Sequence, residues 1–133
     1  MKGMALLLAC LLAAQAGAAP PEPPAPDARS AYRLALKVRN GDGMQADPAR
    51  ARGLLAQAAE GGVPAAMFLL SNMLAAGEGG APDAVAARRW LEMAAELEYP
   101  EALQQLALVE PDPRKANLLM RQAAHAMTHR PAD

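Results

Sequence analysis

The residues of this chain that could take part in chemistry are few, and the two histidines come first. His125 and His129 are four residues apart, a spacing that places both imidazoles on one face of a helix and can hold a metal ion. No third or fourth ligand lies near them in the sequence, and cationic side chains near a helix C-terminus are favoured by the helix dipole alone. We therefore predict no metal site and no cofactor.

A covalent mechanism would need a serine or cysteine nucleophile beside a base. The chain has two serines, and we interpret Ser30 as a helix cap and Ser71 as a small side chain at a close-packing position. Its one cysteine, Cys10, lies in an apolar segment near the N-terminus. The sequence therefore predicts no catalytic residue, and we do not expect an enzyme.

Two Gly-x-Gly turns, residues 41–43 and 77–79, could cradle a phosphate group. Neither follows a predicted strand and neither carries the lysine of a P-loop. Glycine between two helices is explained by its backbone freedom. Nucleotide binding is not expected, and we assign the methionines between Met44 and Met127 to core packing instead of copper binding.

The segments that carry these residues repeat along the chain. Residues 41–66 recur without a gap as residues 77–102, an offset of 36 (77 − 41 = 36). The matching pairs include Gly41/Gly77, Gly43/Gly79, Asp47/Asp83, Ala51/Ala87, Arg52/Arg88, Leu55/Leu91, Ala58/Ala94, Ala59/Ala95, Pro64/Pro100 and Ala66/Ala102. Self-similarity at one fixed spacing is typical of stacked helical repeats.

Apolar spacing and capping residues predict that each copy is a pair of helices. Apolar side chains at helical spacing predict a first helix over residues 29–40. An aspartate can cap the exposed N–H groups at the start of a helix, and a proline fits the first helical position. The residues that begin the later helices are Asp47, Pro64, Asp83, Pro100 and Asp112.

The third copy is shorter than the other two. Asp112 follows Asp83 by 29 residues (112 − 83 = 29), so seven residues of helix and loop are missing (36 − 29 = 7). The last helix nevertheless resumes the apolar positions: Ala116, Leu119, Met120, Ala123 and Ala124 take the places of Ala87, Trp90, Leu91, Ala94 and Ala95. A truncated last unit is typical of the end of a repeat array.

The N-terminal segment is predicted to be a signal peptide, residues 1–18. Lys2 precedes an apolar run, and the small residues 16–18 form the expected cleavage site. An uncleaved anchor helix is disfavoured because a membrane span needs about 20 apolar residues. A lipid on Cys10 is the other alternative, since residues 7–10 resemble a lipoprotein box, but the apolar run before it is too short and continues past it.

The remaining domain boundaries follow from composition. Residues 19–28 are dense in proline and are predicted to be a spacer, residues 29–128 the repeat domain, and residues 129–133 a C-terminal tail. The net charge is −1, which argues against a nucleic-acid partner. No second apolar run could span a membrane once the signal peptide is removed.

Charge is unevenly distributed along the chain. Six basic residues and two acidic ones lie between Arg29 and Arg52, whereas eight acidic residues and two basic ones lie between Glu60 and Glu110. Such an asymmetry could steer an acidic partner to the first helix or allow molecules to associate end to end. The simpler interpretation is that these charges are solvated outer faces.

This set of spaced residues resembles the Sel1-like repeats, a family related to the tetratricopeptide repeats with a period near 36. The matching positions are Ala66, Phe68 and Tyr32, Leu70 and Leu34, the loop glycines Gly41, Gly43, Gly77 and Gly79, the aspartates Asp47 and Asp83, Ala51 and Ala87, and Trp90. The departures are Ser71 and Ala35 in place of glycine, Leu74 and Val38 in place of tyrosine, and Leu54 in place of tryptophan.

The resemblance implies an all-α fold, a short α-solenoid of antiparallel helix pairs with about two full repeats and a truncated C-terminal one. It implies a concave surface lined by the first helix of each pair. Exposed side chains expected on that surface, and predicted to bind a partner, are Arg33, Lys37, Asn72 and Gln105.

The function expected from the resemblance is an exported protein–protein interaction module, a scaffold or adaptor with no catalytic activity, in the periplasm of a bacterium or secreted. Its partner would be a protein or peptide, and self-association is an open possibility. Two alternatives stay open: an envelope-associated enzyme that binds or hydrolyses β-lactams, as some cysteine-rich relatives do, and a lipid-anchored accessory subunit of the envelope. The chain lacks the paired cysteines of those relatives.

Overall fold

The computed structural model describes residues 27–130, and every regular element in that range is an α-helix. The helices are α1 (Ala28–Asn40), α2 (Pro48–Glu60), α3 (Pro64–Ala76), α4 (Ala84–Glu96), α5 (Pro100–Val109) and α6 (Pro113–Thr128). Each odd-numbered helix packs most closely against the even-numbered helix that follows it, and consecutive pairs then stack. The predicted all-α solenoid of helix pairs is confirmed. The signal peptide, Cys10 and most of the proline-rich spacer lie outside the described residues.

Aspartate side chains cap the helices that the repeat pattern assigns to them. Asp47 accepts a hydrogen bond from the N–H of Arg50 at 3.0 Å, and Asp83 accepts one from the N–H of Ala86 at 2.9 Å. Asp112 caps α6 in the same way through the N–H of Arg114 at 2.9 Å. Each contact satisfies one of the backbone donors that the first turn of a helix leaves free.

The cap of α1 differs from the prediction. Ser30 lies within the first turn, and both its N–H and its hydroxyl donate to the carboxylate of Asp27, at 2.9 and 2.8 Å. Asp27 is therefore the cap, and the helix begins at Ala28, one residue earlier than the apolar pattern indicated. These hydrogen bonds stabilise the charged carboxylate, and they hold the pKa of Asp27 below its ordinary value.

A single hydrophobic core runs through the stacked pairs from α1 to α5. Alanines occupy many of its positions because small side chains let helix backbones approach closely, and larger side chains fill the spaces between them. Leu55, Met73 and Val38 are the largest side chains that are completely buried. Leu119 of α6 packs against this core, and Ala123 of the same helix is only 1% exposed.

The loop between α3 and α4 fastens the second pair to the first. Arg39, near the end of α1, forms a bidentate ion pair with Glu78 in that loop, at 2.7 and 2.9 Å. The guanidinium of Arg52 in α2 donates to the carbonyl oxygen of Ala81 at 2.8 Å. The hydrogen bond from Arg39 is the main reason that the pKa of Glu78 is lowered.

Gly79 brings the same loop against the start of α2. Its φ is +76°, and a Cβ at this position would overlap the carbonyl oxygen of Pro48 and lie 2.7 Å from the carbonyl carbon. Gly43 has nearly the same backbone conformation, φ +74°, in the first repeat, but a Cβ there would meet no atom within 4 Å. The two glycines therefore share a conformational requirement, and only Gly79 also has a packing requirement.

The third pair ends the array differently. Met120 and Ala124, which the repeat pattern places at the positions of Leu91 and Ala95, are exposed, Met120 by 43%. Within residues 27–130 no fourth pair follows to cover them. None of the helices between residues 27 and 130 has the combined length and hydropathy that crossing a membrane requires.

The paired glycines provide a test of the junction. Gly43→Ala is expected to lower the free energy of unfolding by about 1 kcal/mol because alanine disfavours a positive φ. Gly79→Ala is expected to cost about 1–2 kcal/mol more, since the added methyl group must displace backbone of α2. Urea denaturation followed by circular dichroism measures both values. Equal losses in the two variants would contradict the packing role of Gly79.

The ion pair between Arg39 and Glu78 predicts a pH-dependent contribution to stability. Because the pKa of Glu78 is below its ordinary value of 4.5 in the folded protein, its stabilisation is present above that value and is lost as the pH falls through the folded pKa. Arg39→Gln is expected to cost about 0.5–1 kcal/mol at pH 7 and progressively less as the pH falls through the folded pKa of Glu78.

The matched control for this experiment is Arg88→Gln, because Arg88 pairs with Glu92 one turn away on the exposed side of α4. A pair within one exposed helix is expected to contribute about 0.3 kcal/mol. Urea titrations between pH 3 and pH 7 compare the two variants. A cost of Arg39→Gln at pH 7 no larger than that of Arg88→Gln would show that the ion pair does not stabilise the junction.

Candidate functional site

The four residues predicted to bind a partner lie on the first helix of each pair, in two groups. Arg33 and Lys37 are exposed and one turn apart on α1. The guanidinium of Arg33 donates to the hydroxyl of Ser30 at 3.2 Å, which holds the side chain along the helix. Together they give the exposed side of α1 a local positive charge.

Asn72 of α3 and Gln105 of α5 form the second group, and the structure brings them into contact. The amide nitrogen of Gln105 donates to the side-chain oxygen of Asn72 at 3.3 Å, and both residues are half-buried. This hydrogen bond links the third helix pair to the second. The amide group of Asn72 and the carbonyl oxygen of Gln105 keep hydrogen-bonding capacity for a partner.

The repeat offset shows how these positions are related. Arg33 and Gln105 occupy the position of Leu69, one repeat before and after it (69 − 36 = 33; 69 + 36 = 105). Lys37 occupies the position of Met73, which is completely buried in the second repeat (73 − 36 = 37). Lys37 is exposed because no helix pair within the described residues precedes α1. It therefore lies towards the N-terminal end of the stack.

The two histidines are adjacent at the end of α6. Their rings stack with centroids 4.1 Å apart, and Nδ1 of His129 lies 2.9 Å from the carbonyl oxygen of His125. Among residues 27–130, no group of three or more histidine, cysteine, aspartate or glutamate side chains is arranged to hold a metal ion. The histidine pair is a local contact at a helix end.

An aromatic cluster at the end of the second repeat was not anticipated from the sequence. Tyr99 packs against Phe68, with ring centroids 5.5 Å apart, and the guanidinium of Arg130 lies 5.5 Å from the centre of the Tyr99 ring. Arg130 also pairs with Glu101 at 3.0 Å. Burial is the main cause of the raised pKa of Tyr99, and the charge of Glu101 adds to it. The contact joins residues about 30 positions apart, so local patterns could not reveal it.

A groove with an acidic rim, which we call the acidic groove, lies between α4, α5 and α6. Its volume is about 460 Å³. The carboxylates on its rim belong to Glu92, Glu96 and Glu98, and the leucines of its floor are Leu103, Leu106 and Leu119. The excess of acidic residues between Glu60 and Glu110 is visible in the sequence, but the convergence of three of them on one groove is not. That convergence depends on how the third pair packs on the second.

Comparison with known proteins assigns the repeats. The Sel1 repeat family matches three segments of the chain, residues 28–63, 64–99 and 102–126. This chain belongs to the Sel1 repeat family. The first Sel1 repeat contains α1 and α2, the second contains α3 and α4, and the third lies within α5 and α6. Sel1 repeats indicate a scaffold for protein–protein interaction.

Solved structures support the same assignment. Ten chains match, and one of them is the crystal structure of a Sel1 repeat protein from Oxalobacter formigenes, with a TM-score of 0.71 and 25% sequence identity. The alignment covers 74% of this chain and 43% of the Oxalobacter protein. This chain therefore spans less than half the length of that Sel1 repeat protein. No curated protein matches the sequence.

The residues on which the resemblance rested have structural roles in these Sel1 repeats. Asp47 and Asp83 are helix caps, and Ala51 and Ala87 are buried. The departures are accommodated as well: Ser71, where the family has glycine, is buried and donates its hydroxyl to the carbonyl oxygen of Phe68 at 2.7 Å. The residues that identify the family therefore cap the helices and form the core of the scaffold. The exposed positions between them are not constrained by the fold.

Proposed function

We propose that this Sel1 repeat protein is an exported protein–protein interaction module without catalytic activity. The observation that carries the proposal is that three Sel1 repeats span residues 28–126, so nearly all of the described chain is repeat scaffold. A scaffold of this kind recognises its partner with a preformed surface, and no covalent bond is made or broken. Pre-organisation lowers the entropy cost of binding.

The proposed partner-binding surface is formed by the first helices of the repeats. Arg33 and Lys37 supply positive charge, and Asn72 and Gln105 supply hydrogen-bonding groups close to each other. The chemistry of these side chains favours a protein or peptide segment with carboxylates. Charged groups at the edge of such a surface increase the rate of association and help to fix the orientation of the partner.

Partner binding would also stabilise the protein. The solenoid has two full repeats and a shortened third one, close to the minimum of about three units that a stable array needs. A ligand that binds only the folded state raises the free energy of unfolding by mass action. An increase in Tm with partner concentration is therefore a convenient assay for the interaction.

Alanine variants test the proposed surface. Protein lacking residues 1–18 is used as bait for affinity capture from the source cells, and the captured partner is then titrated by calorimetry. Arg33→Ala with Lys37→Ala, and separately Asn72→Ala with Gln105→Ala, are each expected to weaken binding about fivefold or more, a loss of about 1 kcal/mol.

The control for these variants is Lys115→Ala, which removes an exposed positive charge from α6, the second helix of the third pair. It is expected to leave the affinity unchanged. If the captured partner binds both double variants as tightly as the wild type, the first helices are not the binding surface, although an interaction function on another face would remain.

Export is tested at the N-terminus of the mature protein. We propose that residues 1–18 are removed and that the protein resides in the periplasm or is secreted. Mass spectrometry of protein isolated from its natural host is expected to find Ala19 as the first residue with a free amine. A diacylglycerol group on Cys10, or an intact Met1, would contradict this prediction and favour a lipid-anchored or unprocessed form.

A further inference from the structure

At the acidic groove, a smaller side chain stands where the preceding junction has a tryptophan. Trp90 and Leu119 occupy the same position after their capping aspartates (90 − 83 = 119 − 112 = 7). Both residues pack against the core, but leucine is smaller than tryptophan, and Leu119 lines the groove together with Leu103 and Leu106. The floor of the groove is therefore apolar and has room for one large side chain.

Two of the rim carboxylates have no counterpart in the first repeat. Glu92 and Glu98 stand where the first repeat has Ala56 and Gly62 (92 − 56 = 98 − 62 = 36). Glu92 pairs with Arg88, but neither Glu96 nor Glu98 forms an ion pair with a described residue. Two carboxylates beside an apolar floor therefore lack a cationic partner within residues 27–130.

Glu98 also has a strained backbone. Its φ is +57°, and within residues 27–130 it is the only residue other than glycine with a positive φ. The equivalent residue of the first repeat is Gly62, with φ +87°, for which this conformation carries no strain. Strained residues of this kind occur preferentially at functional sites, where the side chain is needed despite its cost to stability. A carboxylate therefore stands on the rim at position 98, where a glycine would make the folded protein more stable.

From these observations we propose that the acidic groove binds a basic segment of a protein partner, one in which a tryptophan or another large apolar side chain is flanked by lysine or arginine. The large side chain occupies the space beside Leu119 that Trp90 fills in the preceding junction. The flanking cations pair with Glu96 and Glu98. Charge complementarity selects this partner, since an acidic segment would place like charges against the rim.

The proposed groove goes beyond the first-helix surface and does not depend on it. It is formed mainly by α4, α5 and α6, and it attracts segments of the opposite charge to those attracted by α1. Failure of the first-helix variants would therefore leave this proposal intact, and the reverse also holds.

The test uses synthetic peptides as probes. A fluorescein-labelled peptide of sequence Lys-Lys-Ala-Trp-Ala-Lys-Lys is titrated with the protein lacking residues 1–18, and binding is followed by fluorescence anisotropy. Saturable binding is expected, about tenfold weaker when alanine replaces the tryptophan of the peptide and absent when glutamates replace its lysines. Higher salt is expected to weaken binding because the contacts are partly between charges.

Two variants of the protein separate binding from folding. Leu119→Trp is expected to fill the groove with its own indole ring and weaken peptide binding about tenfold or more, with an unchanged or higher Tm. Glu98→Gly is expected to weaken binding about threefold or more while the Tm is maintained or raised, because the strain is relieved. Glu60→Gln is the matched control, since Glu60 is the equivalent of Glu96 one repeat earlier (96 − 36 = 60), and it is expected to leave binding unchanged.

Several results would overturn the proposal. One is equal affinity of the peptide for the wild type and Leu119→Trp, and another is equal binding of the lysine and glutamate peptides. A lack of saturable binding at peptide concentrations up to about 1 mM is a third. Sedimentation analysis that finds wild-type self-association abolished by Leu119→Trp would assign the groove to a second copy of the chain and refute the proposed occupant.

Discussion

The close approach of helix backbones at alanine positions is the constraint on which the whole array depends. Ala58, Ala94 and Ala123 are buried at equivalent positions of the three second helices. A larger side chain at such a position would push neighbouring helices apart, and the apolar faces of both would lose their cover. Since no helix pair can bury its apolar face alone, each pair depends on its neighbours for stability.

Most of the fold follows from local features of the sequence, whereas the surfaces that recognise partners depend on how the repeats meet. Aspartate caps and prolines predict the helix starts to within one residue. The prediction that Ser30 caps α1 is wrong because Asp27 precedes the first turn and accepts a hydrogen bond from the N–H of Ser30. Alignment of the repeats could have shown that Lys37 corresponds to the buried Met73 and therefore lies near an end of the stack. The acidic groove needed the structure, because neither the strain at Glu98 nor the space beside Leu119 is visible in one repeat taken alone.

The distribution of charge gives the molecule two surfaces of opposite sign on one small scaffold. Although the net charge is only −1, α1 is basic and the groove between α4 and α6 is acidic. Screening at physiological ionic strength reduces the interaction of exposed charges beyond about 8 Å, so each surface acts largely on its own surroundings. The two proposed surfaces would therefore bind segments of opposite charge independently of each other.

The missing seven residues of the third repeat also give the solenoid unequal stiffness. The glycine loop between α3 and α4 fastens the second pair to the first through Glu78, Gly79 and the carbonyl group of Ala81. The third repeat has Pro111 to Pro113 at that place, so Arg88 has no such loop to hold and pairs with Glu92 of its own helix. The last pair consequently packs less closely against α4 than α3 packs against α2, so fewer contacts resist its separation from the second pair.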